Sequence, residues 1–310
     1  MSVTVLFAAG ADSFESYQAP LRAALEHEGV AASLVTEAAP ESVDYIVYAP
    51  ASTLRDFTPF TRCKAVLNLW AGVERVVDNP TLTQPLARMV DPGLTKGMVD
   101  YVCGHVLRYH LGMDAHIRAS PGTWDAVEPP LAQDRKVGVL GLGELGRACA
   151  QMLAQLCFDV AGWSARPKQM SGMTCHHGAD GLPAVLAHSE ILVTLLPHTP
   201  QTENIINAQT LAWLPRGARL INPGRGALID DAALLDALDS GLVAGATLDV
   251  FRSEPLQADH PFWAHPGVTV TPHIAATTRA PSAARVIAQN IARVERGAPL
   301  LHEVDWQRGY

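Results

Sequence analysis

The chain has 310 residues, of which 48% are apolar and 17% charged, enough for two globular domains with cores of their own. A net charge of −8 and a pI near 5.8 exclude the basic surface that nucleic-acid binding needs, though not a local site for a small anion. No apolar run is long enough to span a membrane, and the five scattered cysteines lack C-x-x-C spacing, the pattern of reduced thiols in a cytoplasmic protein.

In chain order, Val3–Phe7 is predicted as a strand rather than a signal peptide, because no basic residue precedes it and Asp12 and Glu15 follow. Tyr17–Glu28 has a helical apolar stripe ended by Gly29 in C-cap fashion. Short strands are expected at Ala31–Val35, Val43–Tyr48 and Ala65–Leu69, which makes the first segment a small α/β unit. Trp70-Ala71-Gly72-Val73 follows the last of them directly. A glycine where a strand feeds a helical pattern exposes N–H groups to an anion such as a carboxylate, or is merely a tight connection.

A long helix is predicted over Gly97–Met113. His105, His110 and His116 lie on or beyond it at spacings of five and six, which suit packing better than metal ligation, so no metal is expected. Ser120–Pro130 reads as an extended connector carrying Trp124.

Lys136–Ala148 organises the rest. Val137–Leu140 is a buried-strand run, Gly141, Gly143 and Gly146 give G-x-G-x-x-G, and Leu145, Ala148, Met152, Leu153 and Leu156 continue at helical spacing. The glycines supply a tight turn, room for a pyrophosphate and close helix–strand packing, while the helix start at Glu144 and Leu145 offers free N–H groups. This is the signature of a dinucleotide site in a doubly wound parallel sheet.

Further strands follow at Phe158–Trp163, Ile191–Leu195, Arg219–Asn222, Ala246–Val250 and Val268–Thr271, with helices at Asp230–Leu238 and Thr278–Arg296. Leu196-Pro197 and Pro223-Gly224 end two of the strands on the side where such sheets bind ligands. Arg225, Asp249, Glu254 and His273 lie at or just past the ends of three of these strands, so they converge on one crevice. An arginine there can grip a carboxylate, a histidine can transfer a proton, and a carboxylate beside the histidine favours its charged form.

An NAD-selective site carries Asp or Glu about 20 residues after the first glycine. Here the second strand ends in Gly162-Trp163-Ser164, followed by Ala165-Arg166-Pro167-Lys168. A hydroxyl and two cations replace the carboxylate, and Ser164, Arg166 and Lys168 can take a 2′-phosphate, so NADP(H) is the expected cofactor.

Taken together, these motifs resemble the D-isomer-specific 2-hydroxyacid dehydrogenases, especially their glyoxylate/hydroxypyruvate reductase branch. The resemblance rests on Gly-Leu-Gly-Glu-Leu-Gly at 141–146, Leu-Pro-His-Thr-Pro at 196–200, Asn-Pro-Gly-Arg-Gly at 222–226 and Leu-Asp-Val-Phe-Arg-Ser-Glu-Pro at 248–255. His-Pro-Phe-Trp-Ala-His-Pro at 260–266 and Thr-Pro-His-Ile-Ala-Ala at 271–276 complete it. It implies an α/β protein of two doubly wound domains. A Rossmann dinucleotide-binding domain over 97–276 would be inserted in a smaller flavodoxin-like substrate domain built from 1–96 and 277–310, with helices Gly97–Met113 and Thr278–Arg296 crossing the hinge.

The resemblance also implies site roles. Arg225 would bind the substrate carboxylate and carbonyl, Glu254 would partner His273, and His273 would be the acid/base. Ala71, Gly72 and Val73, next to Trp70, match the loop whose amides hold a carboxylate. Asp249 would orient the nicotinamide carboxamide. Gly141, Gly143, Glu144, Leu145, Gly146, Ser164, Arg166, Lys168, Leu196, Pro197, Pro223 and His273 are the other expected cofactor contacts. Tyr48, Trp70 and Trp263 are bulky enough to favour short 2-oxo acids. Homodimers are common in the family, and the Trp124 connector would suit an inter-subunit arm. A dinucleotide sensor without catalysis, or a dehydrogenase of another small anion, are the alternatives.

Overall fold

Residues 2–306 are described by a computed structural model, in which the chain divides into two compact units. The first takes in Met1–Leu94 and Thr278–Tyr310, the second Thr95–Thr277. Residue 1 and residues 307–310, the outer ends of the expected substrate domain, lie outside the described part.

The first unit holds a wholly parallel five-stranded sheet, formed by β1 (Val3–Ala8), β2 (Ala32–Val35), β3 (Tyr45–Tyr48), β4 (Ala65–Asn68) and β5 (Leu86–Ala87), in the order β2-β1-β3-β4-β5. Strands β3 and β4 are buried along their whole length, as central strands covered on both faces must be. Helix α1 (Ala11–His27) begins six residues before the expected start and carries Pro20 inside it. Gly29 ends the helix at φ 71°, where only glycine is unstrained, and its N–H donates to the Glu26 carbonyl. Val5, Phe7 and Leu21 pack there with Ile287 and Ile291 from the last helix, Ala280–Glu295.

Helix α2 (Pro92–His110) starts five residues earlier than the periodicity suggests, because Pro92 fits the first turn of a helix. The Asp91 carboxylate accepts from the Gly93 and Leu94 N–H groups at 2.7 and 3.2 Å, which caps that turn. A short helix α3 (Met113–Ile117) follows, and the connector beyond it leaves Trp124 95% exposed.

The second unit contains a seven-stranded parallel sheet. Its members are β6 (Lys136–Leu140), β7 (Asp159–Ser164), β8 (Thr174–His177), β9 (Ile191–Thr194), β10 (Ala218–Asn222), β11 (Val243–Leu248) and β12 (Val268–Val270). The order β12-β11-β10-β9-β6-β7-β8 reverses between β6 and β9, the switch point where such sheets bind ligands. Strand β8 and helix α5 (Gly178–His188), which pack on β7, were not legible as elements. Their sequence, Thr174-Cys-His-His-Gly-Ala-Asp, has no clean period.

Helix α4 (Glu144–Gln155) follows the glycine turn, but its buried face is Gly146, Cys149, Ala150 and Leu153. Met152 and Leu156, expected inside, are 37% and 38% exposed. Small residues win the inner face because Gly146 brings the helix almost onto the sheet. The remaining helices are α6 (Ala208–Leu211), α7 (Asp231–Asp239), α8 (Pro261–Ala264) and α9 (Ala280–Glu295). Asp230 caps α7 by accepting from the Ala233 N–H at 3.1 Å. No helix is long and apolar enough to cross a membrane among the described residues.

Candidate active site

The glycine turn meets each requirement of its sequence in a different way. Gly141 sits at φ 102°, and a Cβ there would lie 2.5 Å from the Leu195 carbonyl oxygen, so only glycine fits between β6 and β9. A Cβ at Gly146 would lie 1.7 Å from the Gly141 oxygen, which fixes close helix–turn packing. At Gly143 a Cβ would meet nothing within 4 Å. That glycine therefore leaves open ground in front of the N-terminus of α4, which has no side-chain cap, and a pyrophosphate fits there.

At the end of β7, Ser164 is buried and its hydroxyl donates to the Arg166 carbonyl at 2.7 Å, shaping the turn. Lys168 Nζ donates to the Leu142 carbonyl at 2.8 Å, tying this turn to the glycine loop. Arg166 is exposed and has no partner among the described residues. The donor set fits a 2′-phosphate, with Arg166 as the free fork, Lys168 as a nearby charge and Ser164 as the shaper of the turn.

On the other side of the switch point, buried Asn222 ends β10. Its Oδ1 accepts from the Thr194 hydroxyl at 2.7 Å and the Gly224 N–H at 3.2 Å, while its Nδ2 donates to the Arg225 carbonyl at 2.9 Å. A Cβ on Gly226 would fall 2.0 Å from the Phe251 carbonyl carbon, so the turn carrying Arg225 lies flat on the segment after β11. Arg225 is half-buried, with Nη1 donating to the Gly224 carbonyl at 2.7 Å.

Beyond β12, His273 Nδ1 lies 2.8 Å from Glu254 Oε2, and Glu254 Oε1 accepts from the Phe251 N–H at 2.9 Å. A carboxylate only accepts, so Nδ1 carries the proton in that pair and Nε2 is left for chemistry. The imidazole is 53% exposed, whereas Glu254 is 26% exposed, so the working ring is open and its partner is sheltered.

Asp249 departs from expectation. It is completely buried, and its carboxylate accepts from the Thr271 hydroxyl at 2.6 Å and from the Ile274 and Ala275 N–H groups at 2.9 Å each. Its carbonyl also takes the His273 N–H at 2.9 Å. A carboxylate spent in this way positions the His273 loop and presents no surface to a nicotinamide. Tyr101 extends the network: Thr271 gives its only hydroxyl proton to Asp249, so Tyr101 O–H donates to Thr271 Oγ1 at 2.7 Å.

Leu196 is likewise a correction. Its side chain belongs to the core with Leu220 and Leu228, while Leu195 and Pro197 are half-buried at the strand end. Pro223 is buried beside Asn222. Tyr48 is also core, edge-on to Phe57 at 5.3 Å between ring centres. Trp263 is 52% exposed, its indole N–H donating to the Gln257 carbonyl at 2.9 Å.

In the first unit, Asn68 Nδ2 donates to the carbonyls of Trp70 and Gly72 at 2.9 and 3.1 Å. That turns the carbonyls inward. Among the described residues none accepts from the N–H groups of Ala71, Gly72 or Val73.

Two positioning groups went unread in the sequence. One is the Thr194–Asn222 pair, whose signal is a polar residue closing an apolar strand. The other is Arg252, inside the motif read for Asp249 and Glu254. Its guanidinium donates to the Ile229 carbonyl at 2.6 Å and also binds Asn204 Oδ1.

A sheet that reverses order beside a glycine-rich turn, with a proton-carrying imidazole beyond the same edge, defines a dinucleotide-dependent oxidoreductase. Residues 105–275 match the D-isomer specific 2-hydroxyacid dehydrogenase, NAD binding domain. A glyoxylate/hydroxypyruvate reductase A from Yersinia enterocolitica is 42% identical over 255 residues, which are 80% of this chain and 82% of that one. The chain belongs to the D-isomer specific 2-hydroxyacid dehydrogenase family.

Among solved structures, a D-isomer specific 2-hydroxyacid dehydrogenase from Xanthobacter autotrophicus Py2, in complex with NADPH and MES, is 42% identical. It superposes with a TM-score of 0.94 over 100% of both chains. An NADPH-dependent glyoxylate/hydroxypyruvate reductase from Sinorhizobium meliloti, in complex with NADP and sulfate, is 35% identical. Its TM-score is 0.87, covering 100% of this chain and 99% of that one.

Proposed function

We propose that the protein is an NADPH-dependent reductase of small 2-oxo acids, glyoxylate and hydroxypyruvate among them, yielding 2-hydroxy acids. The observation that carries this reading is the 2.8 Å His273–Glu254 pair, set past the strand ends of a dinucleotide-binding sheet. Bound NADPH supplies the hydride. His273, held through Nδ1, gives the Nε2 proton to the substrate's carbonyl oxygen as that oxygen gains charge. Arg225 binds the substrate's carboxylate and steadies its carbonyl. The free N–H groups of Ala71, Gly72 and Val73, next to Trp70, are proposed as carboxylate donors.

On this reading Thr95–Thr277 is the dinucleotide unit, and the other unit binds substrate. Gly141, Gly143, Glu144, Leu145 and Gly146 face the pyrophosphate, Arg166 and Lys168 the 2′-phosphate, and Pro197 and Pro223 border the nicotinamide end. The exposed apolar run of Ile117, Trp124, Val127 and Leu131 supports a homodimer formed along that arm. Five free cysteines suit a cytoplasmic setting.

The test is a panel of 2-oxo acids assayed with NADPH and with NADH. Glyoxylate and hydroxypyruvate with NADPH should give the highest kcat/KM, and His273→Ala should lower kcat about 10²–10⁴-fold. Faster turnover of phenylpyruvate, or wild-type turnover by His273→Ala, overturns the reading.

A further inference from the structure

A cavity of about 240 Å³ opens at the other edge of the second unit's sheet, where β9 and β10 begin. Arg225 and the other candidate catalytic side chains lie past the opposite ends of the strands. The cavity is lined by Tyr109, Arg135, Glu190, Arg216 and Arg219, with the Pro215–Ala218 turn as its rim.

Its charge is unbalanced. Three guanidinium groups face one carboxylate, and Glu190 is already engaged. Glu190 Oε2 accepts from the Lys136 N–H at 3.0 Å, and Oε1 stands 3.5 Å from Arg135 Nη1. Each guanidinium brings five N–H donors, far more than the protein consumes here. Arg216 Nη2 donates to the Ser240 carbonyl at 2.7 Å. Arg219 lies over the Tyr109 ring, 5.2 Å from its centre, and donates to none of the described residues. Arg135 Nε is buried without an acceptor among the described residues.

The backbone does not compete for such a ligand. The N–H groups of Gly217, Ala218 and Arg219 donate to the carbonyls of Leu242, Pro215 and Glu190. The Tyr109 hydroxyl is paired with Thr247 Oγ1 at 2.7 Å. Recognition therefore falls to the three arginine forks, which match the edges of a tetrahedral oxyanion.

We propose that this cavity is a binding site for a doubly charged phosphate group, free or as a small phosphate monoester. Two negative charges balance the excess of two guanidinium groups, and a tetrahedral head lets three forks converge on one centre. The site is separate from the turn at Ser164–Lys168.

The experiment is calorimetric titration of inorganic phosphate into the protein saturated with NADP⁺, at constant ionic strength. NADP⁺ saturation removes the turn at Ser164–Lys168 as a second place for phosphate. The wild type should bind phosphate at a site distinct from the substrate anion site at Arg225, and Arg216→Glu, at an exposed position, should weaken that binding at least about tenfold. Arg219→Met should do the same, and circular dichroism identifies which variants remain folded. Glycerol 3-phosphate in place of phosphate distinguishes a monoester ligand from the free ion. No binding to the NADP⁺-loaded wild type, unchanged affinity in a folded variant, or equal affinity for malonate overturns the proposal.

Discussion

Arg252 Nη2 donates to the Ile229 carbonyl at 2.6 Å, joining the segment that carries Glu254 to the turn that carries Arg225. The same guanidinium reaches Asn204 Oδ1 and lies 3.5 Å from Glu203. Two groups that must meet one substrate are thus fixed to each other through a residue that touches neither. Arg252→Ala should lower kcat/KM about 10-fold or more, because small misplacements at a reacting centre are costly. Arg252→Lys keeps the charge but loses the fork, and should recover only part. If both variants keep wild-type kcat and KM, the tie has no role in alignment.

Gly143 and Gly146 should separate cofactor binding from folding. Gly143→Ala places its methyl in open space, so the melting temperature should stay near wild type while KM for NADPH rises. Gly146→Ala drives its methyl to within 1.7 Å of the Gly141 oxygen, so the fold itself should suffer, by several kcal/mol. Thermal melts of the cofactor-free proteins and NADPH titrations check both. Equal melting temperatures for the two variants would contradict the packing role of Gly146.

Arg166 and Lys168 differ in their present engagements, which predicts unequal effects. Arg166→Ala removes a free fork and should raise KM for NADPH with little change for NADH. Lys168→Ala also releases the Leu142 carbonyl of the glycine loop, so it should raise KM for both cofactors. Steady-state kinetics with each cofactor decide this, and an NADH effect confined to Arg166→Ala would invert the assignment.

His110 gives a pH dependence of stability. Burial holds its pKa below the ordinary value, and Arg135 adds to the effect. The ring packs edge-on against Phe158, centres 5.0 Å apart. Folding therefore favours the neutral ring, so its contribution is present above pH ~6.5 and is lost as pH falls through the lowered pKa. Between pH 7.5 and 5, wild type should lose stability more steeply than His110→Gln, by at most about 1.4 kcal/mol per pH unit. Urea midpoints measure the two slopes; parallel slopes would show that His110 titrates alike folded and unfolded.

The legible parts of this molecule are those where a residue type does a local job. Glycine spacing announced the turn after β6, and the Leu196-Pro197 and Pro223-Gly224 breaks announced the ends of β9 and β10. Arg225, Glu254 and His273 were legible because charged side chains after apolar strands have few structural excuses. What stayed hidden depends on contacts distant in sequence. Asp249 looks like a ligand residue until its partners at 271, 274 and 275 are known. The inner face of α4 follows the approach of Gly146 to Gly141, not hydrophobicity. Leu196 was placed by its motif at the crevice, yet the chain turns it into the core.

His273 adopts φ 56°, a left-handed backbone that only glycine enters without strain. The residue that moves the proton thus sits where the chain would prefer no side chain at all, at a cost of about 1–2 kcal/mol. Selection for persistence and selection for turnover therefore pull this position in opposite directions. His273→Gly should melt above His273→Ala, while both lack the imidazole and its chemistry. Should the alanine variant prove the more stable, the backbone there is not strained. If the prediction holds, a lineage released from its substrate would drift to glycine at 273 and become sturdier as it lost its activity.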